Sequence, residues 1–140
     1  MASEEAKQKT QLVEEVRQML ISKEELDQMT FKERWRYLVK GGNAGKLRKF
    51  LDYNEDNPHI YAALKKMAKE FYDEGWRRGA VWWFFQPIRY GPGTTVDKAT
   101  AYKISNDYFA YYARLLIARN TNYAGWIVVK RLKGQSPYPE

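Results

Sequence analysis

The sequence contains no cysteine and a single histidine. The missing thiols exclude a disulfide framework, a thiolate zinc site, an iron–sulfur cluster and a cysteine nucleophile, and they suit a chain that works in the reducing cytosol. His59 stands without a second imidazole or a thiolate, so no metal site is expected. No cofactor is expected either. The one glycine-rich stretch, Gly41-Gly42-Asn43-Ala44-Gly45-Lys46, lacks the spacing of a phosphate loop and the Ser or Thr that should follow its lysine. Hydrophobic runs are short as well. None approaches the roughly 20 residues of a membrane span, and the N-terminal residues lack the apolar stretch of a secretory signal. The reading is a soluble cytoplasmic protein with no membrane partner. Acidic residues are missing from Tyr108 to Pro139, where Arg114, Arg119, Lys130, Arg131 and Lys133 fall.

Apolar bulk and positive charge are what the chain has in quantity. With 140 residues, 44% hydrophobic and 16% aromatic, it can bury one ordinary core, and disorder is excluded for most of its length. The net charge is +7 and unevenly spread. Residues 1–30 hold four basic and seven acidic side chains, which leaves 20 basic and ten acidic in residues 31–140, a net +10. A surface of one sign concentrates polyanions, which makes nucleic acid the leading partner class.

Periodicity and turn signals divide the chain into three parts. Residues 1–56 read as a helical N-terminal extension. Leu12, Val16 and Leu20 form a narrow apolar stripe that needs a partner surface: the core domain, a second copy of the chain or another protein. Ser22 with Glu25 and Thr30 with Glu33 fit the capping box, predicting helix starts near residues 23 and 31; the second helix runs into Gly41-Gly42, and another spans about 46–51. The turn formers at 54–58 mark the boundary of a core domain over 57–133. There Asn57 caps and Pro58 opens a helix that Gly75 ends, and Val81-Trp82-Trp83-Phe84-Phe85 reads as a short buried helix stopped by Pro87. The Thr-, Val- and Tyr-rich segment 94–104 suits a strand. A helix over about 107–120 follows, with Phe109, Tyr112 and Leu116 inward and Tyr111, Arg114 and Ala118 on the other side. Residues 126–132 read as a second strand by β-branched content, and 134–140 as a disordered tail.

A late helix carrying Arg and Tyr, followed by a basic strand, resembles a winged-helix module, in which a helix enters the DNA major groove and a basic hairpin contacts phosphates. The expected fold class is therefore mainly α with a small β-sheet. Asn57-Pro58-His59-Ile60, Gly75-Trp76-Arg77-Arg78, Ile88-Arg89, Lys103-Ile104-Ser105-Asn106, Tyr108, Tyr111-Tyr112-Ala113-Arg114 and Gly125 together resemble a family of small proteins carried by phages and other mobile elements, over about residues 57–133. That resemblance implies a phage or mobile-element setting and brings no established activity.

Candidate nucleic-acid contacts are Arg77, Arg78, Arg89, Lys103, Asn106, Tyr111, Arg114, Lys130, Arg131 and Lys133. Arg and Asn read base edges bidentately, and Lys and Tyr bind phosphate oxygens. The competing readings are structural: Ser105 or Asn106 as an N-cap, Tyr108 and Tyr112 as core aromatics, and the terminal lysines as protection of an edge strand. Trp82 and Trp83 lie about 100° apart on a helix, so both cannot face one small core; with Leu12, Val16 and Leu20 they are the candidate partner-binding residues. The expected function is non-catalytic binding of nucleic acid, duplex DNA first, in phage or mobile-element regulation or interference. The alternative is an interaction module that docks on a host or phage protein complex. Self-association into a homo-oligomer is open to either.

Overall fold

The structure, a computed structural model, describes residues 23–90, 104, 106–129 and 132. Over these residues the chain forms six helices in the order α1 (Lys23–Asp27), α2 (Phe31–Val39), α3 (Ala44–Asp56), α4 (Pro58–Asp73), α5 (Val81–Tyr90) and α6 (Asn106–Arg119), then a 3-10 turn at Thr121–Tyr123.

Local chemistry sets most of the boundaries. Thr30 caps α2 with the reciprocal box expected of it: the Glu33 amide donates to its hydroxyl, and its own amide donates to the Glu33 carboxylate. Asn43 caps α3 by accepting from the Lys46 amide. Pro58 opens α4, but Asn57 makes no side-chain cap. Its amide group instead donates to the Tyr53 carbonyl at the end of α3, so the turn formers at 54–58 are a tight joint between two helices. α3 is longer than the six residues expected: its cap at Asn43 starts it earlier, and beyond residue 51 Tyr53 still packs against the core.

α6 is the axis of the fold. Helices α2, α3 and α5 and the 3-10 turn all pack on it, and every residue from Tyr111 to Ala118 is buried. Phe50 of α3 sits at the centre of an aromatic cluster, stacked on Tyr111 at 5.2 Å between ring centroids and edge-on to Tyr112 at 4.9 Å. Arg34 of α2 ties three elements: its Nε donates to the Leu26 carbonyl of α1 and a terminal nitrogen to the Ala118 carbonyl of α6. The charged ends of α6 are also partnered. Asp107 pairs with Lys46 at 2.9 Å, and the Arg119 guanidinium lies over the rings of Phe31 and Tyr61.

Two organisational expectations fail. A small sheet in a winged-helix arrangement is not what the chain builds: helices take 74% of the described residues, and no strand occurs among them. Trp126 and Ile127 both donate their amides to the Tyr123 carbonyl, so the 126–132 segment begins as a turn. Ile127 is buried and Val129 lies against the core while Val128 is exposed, and among the described residues pairing is reduced to one parallel bridge, Gly79 to Ile127. The segment 94–103 and the residues Lys130 and Arg131 lie outside the described residues. The division at residue 57 fails too, because Leu26, Leu38 and Phe50 belong to the same core as Ile60, Phe84 and Tyr112. Residues 23–56 are part of the domain rather than an extension of it.

α5 departs from expectation at Pro87, which lies inside the helix rather than ending it. Proline removes the amide that would bond the Trp83 carbonyl. One residue earlier, the Gln86 side-chain amide donates to the Trp82 carbonyl.

Candidate functional site

Two of the ten candidate nucleic-acid contacts, Arg114 and Tyr111, are in the core. Arg114 is 0% exposed and Tyr111 2%. The Arg114 Nε donates to the Leu38 carbonyl of α2 at 2.7 Å, and a terminal nitrogen donates to the Ala110 carbonyl at 3.0 Å. Burial pushes the guanidinium pKa down to about 10, with the nearby Tyr111 phenol working the other way. The exposure expected of both residues is lost because α6 is surrounded: a helix with packed neighbours on several sides has no solvent face, and an arginine on it must find carbonyls. No part of α6 from 111 to 118 can enter a groove.

Of the other candidates, Arg77 and Arg78 are exposed, in the connection between α4 and α5. Asn106 is the first residue of α6 and Arg89 lies in α5, their side chains outside the described set. Lys103, Lys130, Arg131 and Lys133, like Leu12, Val16 and Leu20, lie outside the described residues. His59, in the first turn of α4, is exposed. Among the described residues no group of three or more His, Cys, Asp or Glu side chains could hold a metal ion, and no helix is long and apolar enough to cross a membrane.

Trp82 and Trp83 are both exposed, at 51% and 38%. Helix geometry places at least one of them outside a small core. Both are, because α5 buries Val81, Phe84, Phe85 and Ile88, the i, i+3, i+4, i+7 set of a single helix face. Trp82 leans on Phe109 of α6 at 6.2 Å, and Trp83 turns to Trp76 at 5.9 Å.

Trp76 was not singled out from sequence as a contact residue, and it links the exposed arginines to the exposed indoles. It is 47% exposed, edge-on to Phe71 of α4 at 4.8 Å, and its Nε1 donates to the Glu74 carboxylate at 3.1 Å. The available signal was an indole beside two arginines just past a helix-ending glycine. Gly75 has φ +86, a left-handed conformation that lets α4 stop and the chain turn out to Trp76.

The connection is clamped from the other side by Trp126. The Trp126 indole donates to the Trp76 carbonyl at 2.6 Å, its backbone carbonyl accepts from the Gly79 amide at 3.0 Å, and the Val128 amide donates to the Gly79 carbonyl at 2.8 Å. Gly79 must be glycine, since a Cβ there would lie 2.6 Å from the Trp126 ring and 2.8 Å from Phe84. Arg77 and Arg78 therefore leave a short loop fixed at both ends, with Trp76 and Trp83 beside it. We call this the Trp76–Trp83 ledge.

The chain matches no family model, no curated protein and no solved structure.

Proposed function

We propose that the protein is a non-catalytic nucleic-acid-binding protein and that the Trp76–Trp83 ledge is its contact surface. The observation that carries this reading is the exposed Arg77-Arg78 pair set beside exposed indoles in a chain of net charge +7. Arginines neutralise phosphates, and aromatic faces take up bases. A setting in a phage or mobile element rests only on the sequence resemblance of residues 57–133. The test is fluorescence anisotropy of labelled oligonucleotides with the full chain at two salt concentrations. Binding that weakens steeply as salt rises is expected, because each neutralised phosphate releases counterions; no binding to any nucleic acid at low salt would remove the reading.

A second reading has its own support. Trp, Tyr and Arg are the residue types that dominate protein–protein hot spots, and the ledge carries Trp and Arg together. On that reading a host or phage protein occupies it, and capture of that protein survives moderate salt while oligonucleotides leave the anisotropy unchanged.

A further inference from the structure

We infer that the ledge takes an unpaired nucleic-acid strand, with bases stacked on Trp76 and Trp83 and the adjoining phosphates held by Arg77 and Arg78; this rests on the nucleic-acid reading above and narrows it to one ligand class. The indole centroids are 5.9 Å apart and the rings tilted by 52°. A base sandwiched between two rings needs two stacking gaps, about 7 Å in all, so none fits between them. Each ring instead offers its solvent-facing side to a different base. Arg77 and Arg78 follow Trp76 directly, within about 4–8 Å along the chain, which is the reach from a stacked base to its own phosphates.

The charge around the ledge complements a polyanion. From Gly75 to Val96 the sequence has no acidic residue against the arginines Arg77, Arg78 and Arg89; Glu74, just before this stretch, keeps its charge while accepting from the Trp76 indole, so the excess over the stretch is positive. The clamp by Trp126 holds the loop in place before any ligand arrives, so little ordering entropy is left to lose on binding. A duplex uses only part of this surface. Its base faces are covered by one another, so it can engage the arginines but leaves the indoles uncovered, whereas an unpaired strand engages both.

The experiment compares a labelled oligothymidine with a duplex of the same length, bound to the full chain and to the variants Trp83→Ala, Trp83→Phe and Arg77→Ala/Arg78→Ala, each checked by thermal melting. The oligothymidine is expected to bind more tightly than the duplex and to quench tryptophan emission. Trp83→Ala should weaken it by about five- to 150-fold, the equivalent of ~1–3 kcal/mol per stacked base, while Trp83→Phe keeps most of the affinity. The double arginine variant should lower the salt slope by up to about 1.4, from ~0.7 per phosphate contact on a single strand. Duplex binding as tight as single-strand binding, or a folded Trp83→Ala with unchanged affinity, overturns the inference and leaves the broader nucleic-acid reading standing. If neither oligonucleotide binds, both fall. In that case, capture of a protein that Trp83→Ala abolishes hands the ledge to the docking reading.

Discussion

Helices α5 and α6 are near neighbours in the chain, and their sequences point the wrong way about where each one sits. α5, with Val, Trp, Trp, Phe and Phe in succession, has the composition of a core helix, yet it leaves two indoles in solvent. α6 carries Asp, Arg and three tyrosines, the composition of a surface helix, and buries eight consecutive residues. Burial here follows the number of neighbours rather than apolar content. α6 has three helices and a 3-10 turn around it and takes its polar groups inside with partners, while α5 is packed along one stripe and leaves the rest of its apolar surface for something else.

The sharpest way to break this comparison is Arg114→Ala. The substitution removes a 0%-exposed side chain that bridges α6 to the Leu38 carbonyl of α2, leaving a cavity and buried acceptors without their donor. A loss on the order of 3–5 kcal/mol is expected, read by urea unfolding. A folded variant of near-normal stability would mean that Arg114 is not a core group, and α6 would regain its claim to a surface role.

What was legible in the sequence was local. The Thr30–Glu33 box, Pro58 at a helix start, Gly75 at a helix end and the 107–120 helix each depend on a few neighbouring residues, and each appears within a residue or two of its expected place. What failed depends on distant parts of the chain. The direction in which Arg114 points is decided by α2, some 76 positions away, whose Leu38 carbonyl accepts from it. The strand expected at 126–132 needed a partner strand, and among the described residues only Gly79 pairs with it. The break at 54–58 looked like a linker because two abutting helix ends use the same turn formers as a domain boundary. The ledge was half legible: Arg77, Arg78 and Trp83 were candidates, but the fold alone brings Trp76 against Trp83 and clamps the loop between them.

That clamp gives the second test. Gly79→Ala would put a Cβ 2.6 Å from two ring atoms of Trp126, and these belong to a large packed side chain that cannot step aside. The expected cost is ~1–3 kcal/mol, measured by thermal unfolding, together with weaker binding at the ledge because the loop carrying Arg77 and Arg78 shifts. An unaffected protein would show that Trp126 does not lock the connection.

Trp82→Ala and Trp83→Ala probe α5 itself. A fully buried Trp lost to Ala costs about 3–5 kcal/mol. These two are 51% and 38% exposed, so about 1 kcal/mol each is expected in urea melts. Either variant costing as much as Arg114→Ala would put that indole in the core and erase the contrast with α6.

The smallest effect at neutral pH belongs to Tyr112→Phe on α6. The Tyr112 ring is 0% exposed and its hydroxyl has no hydrogen-bond partner among the described residues, so removing the oxygen should leave stability unchanged or raise it by up to about 1 kcal/mol. The difference should widen in alkali. Burial, with the nearby Tyr53 and Tyr108, raises the Tyr112 phenol above its usual value, and burial raises Tyr61, Tyr111 and Tyr123 in the same direction. A phenol whose pKa is higher folded than unfolded contributes stability in full below the unfolded pKa of about 10 and loses it as pH rises beyond that. Arg114 acts in the opposite sense over the same window, since its folded pKa is lowered to about 10, but it is one group against six tyrosines, Tyr37 and Tyr53 being raised by burial as well. Thermal midpoints should therefore fall as pH is raised past about 10, and fall less steeply in Tyr112→Phe than in the parent chain. Equal slopes in the two proteins would mean that Tyr112 ionises as readily folded as unfolded, which a ring in the centre of α6's packing cannot do.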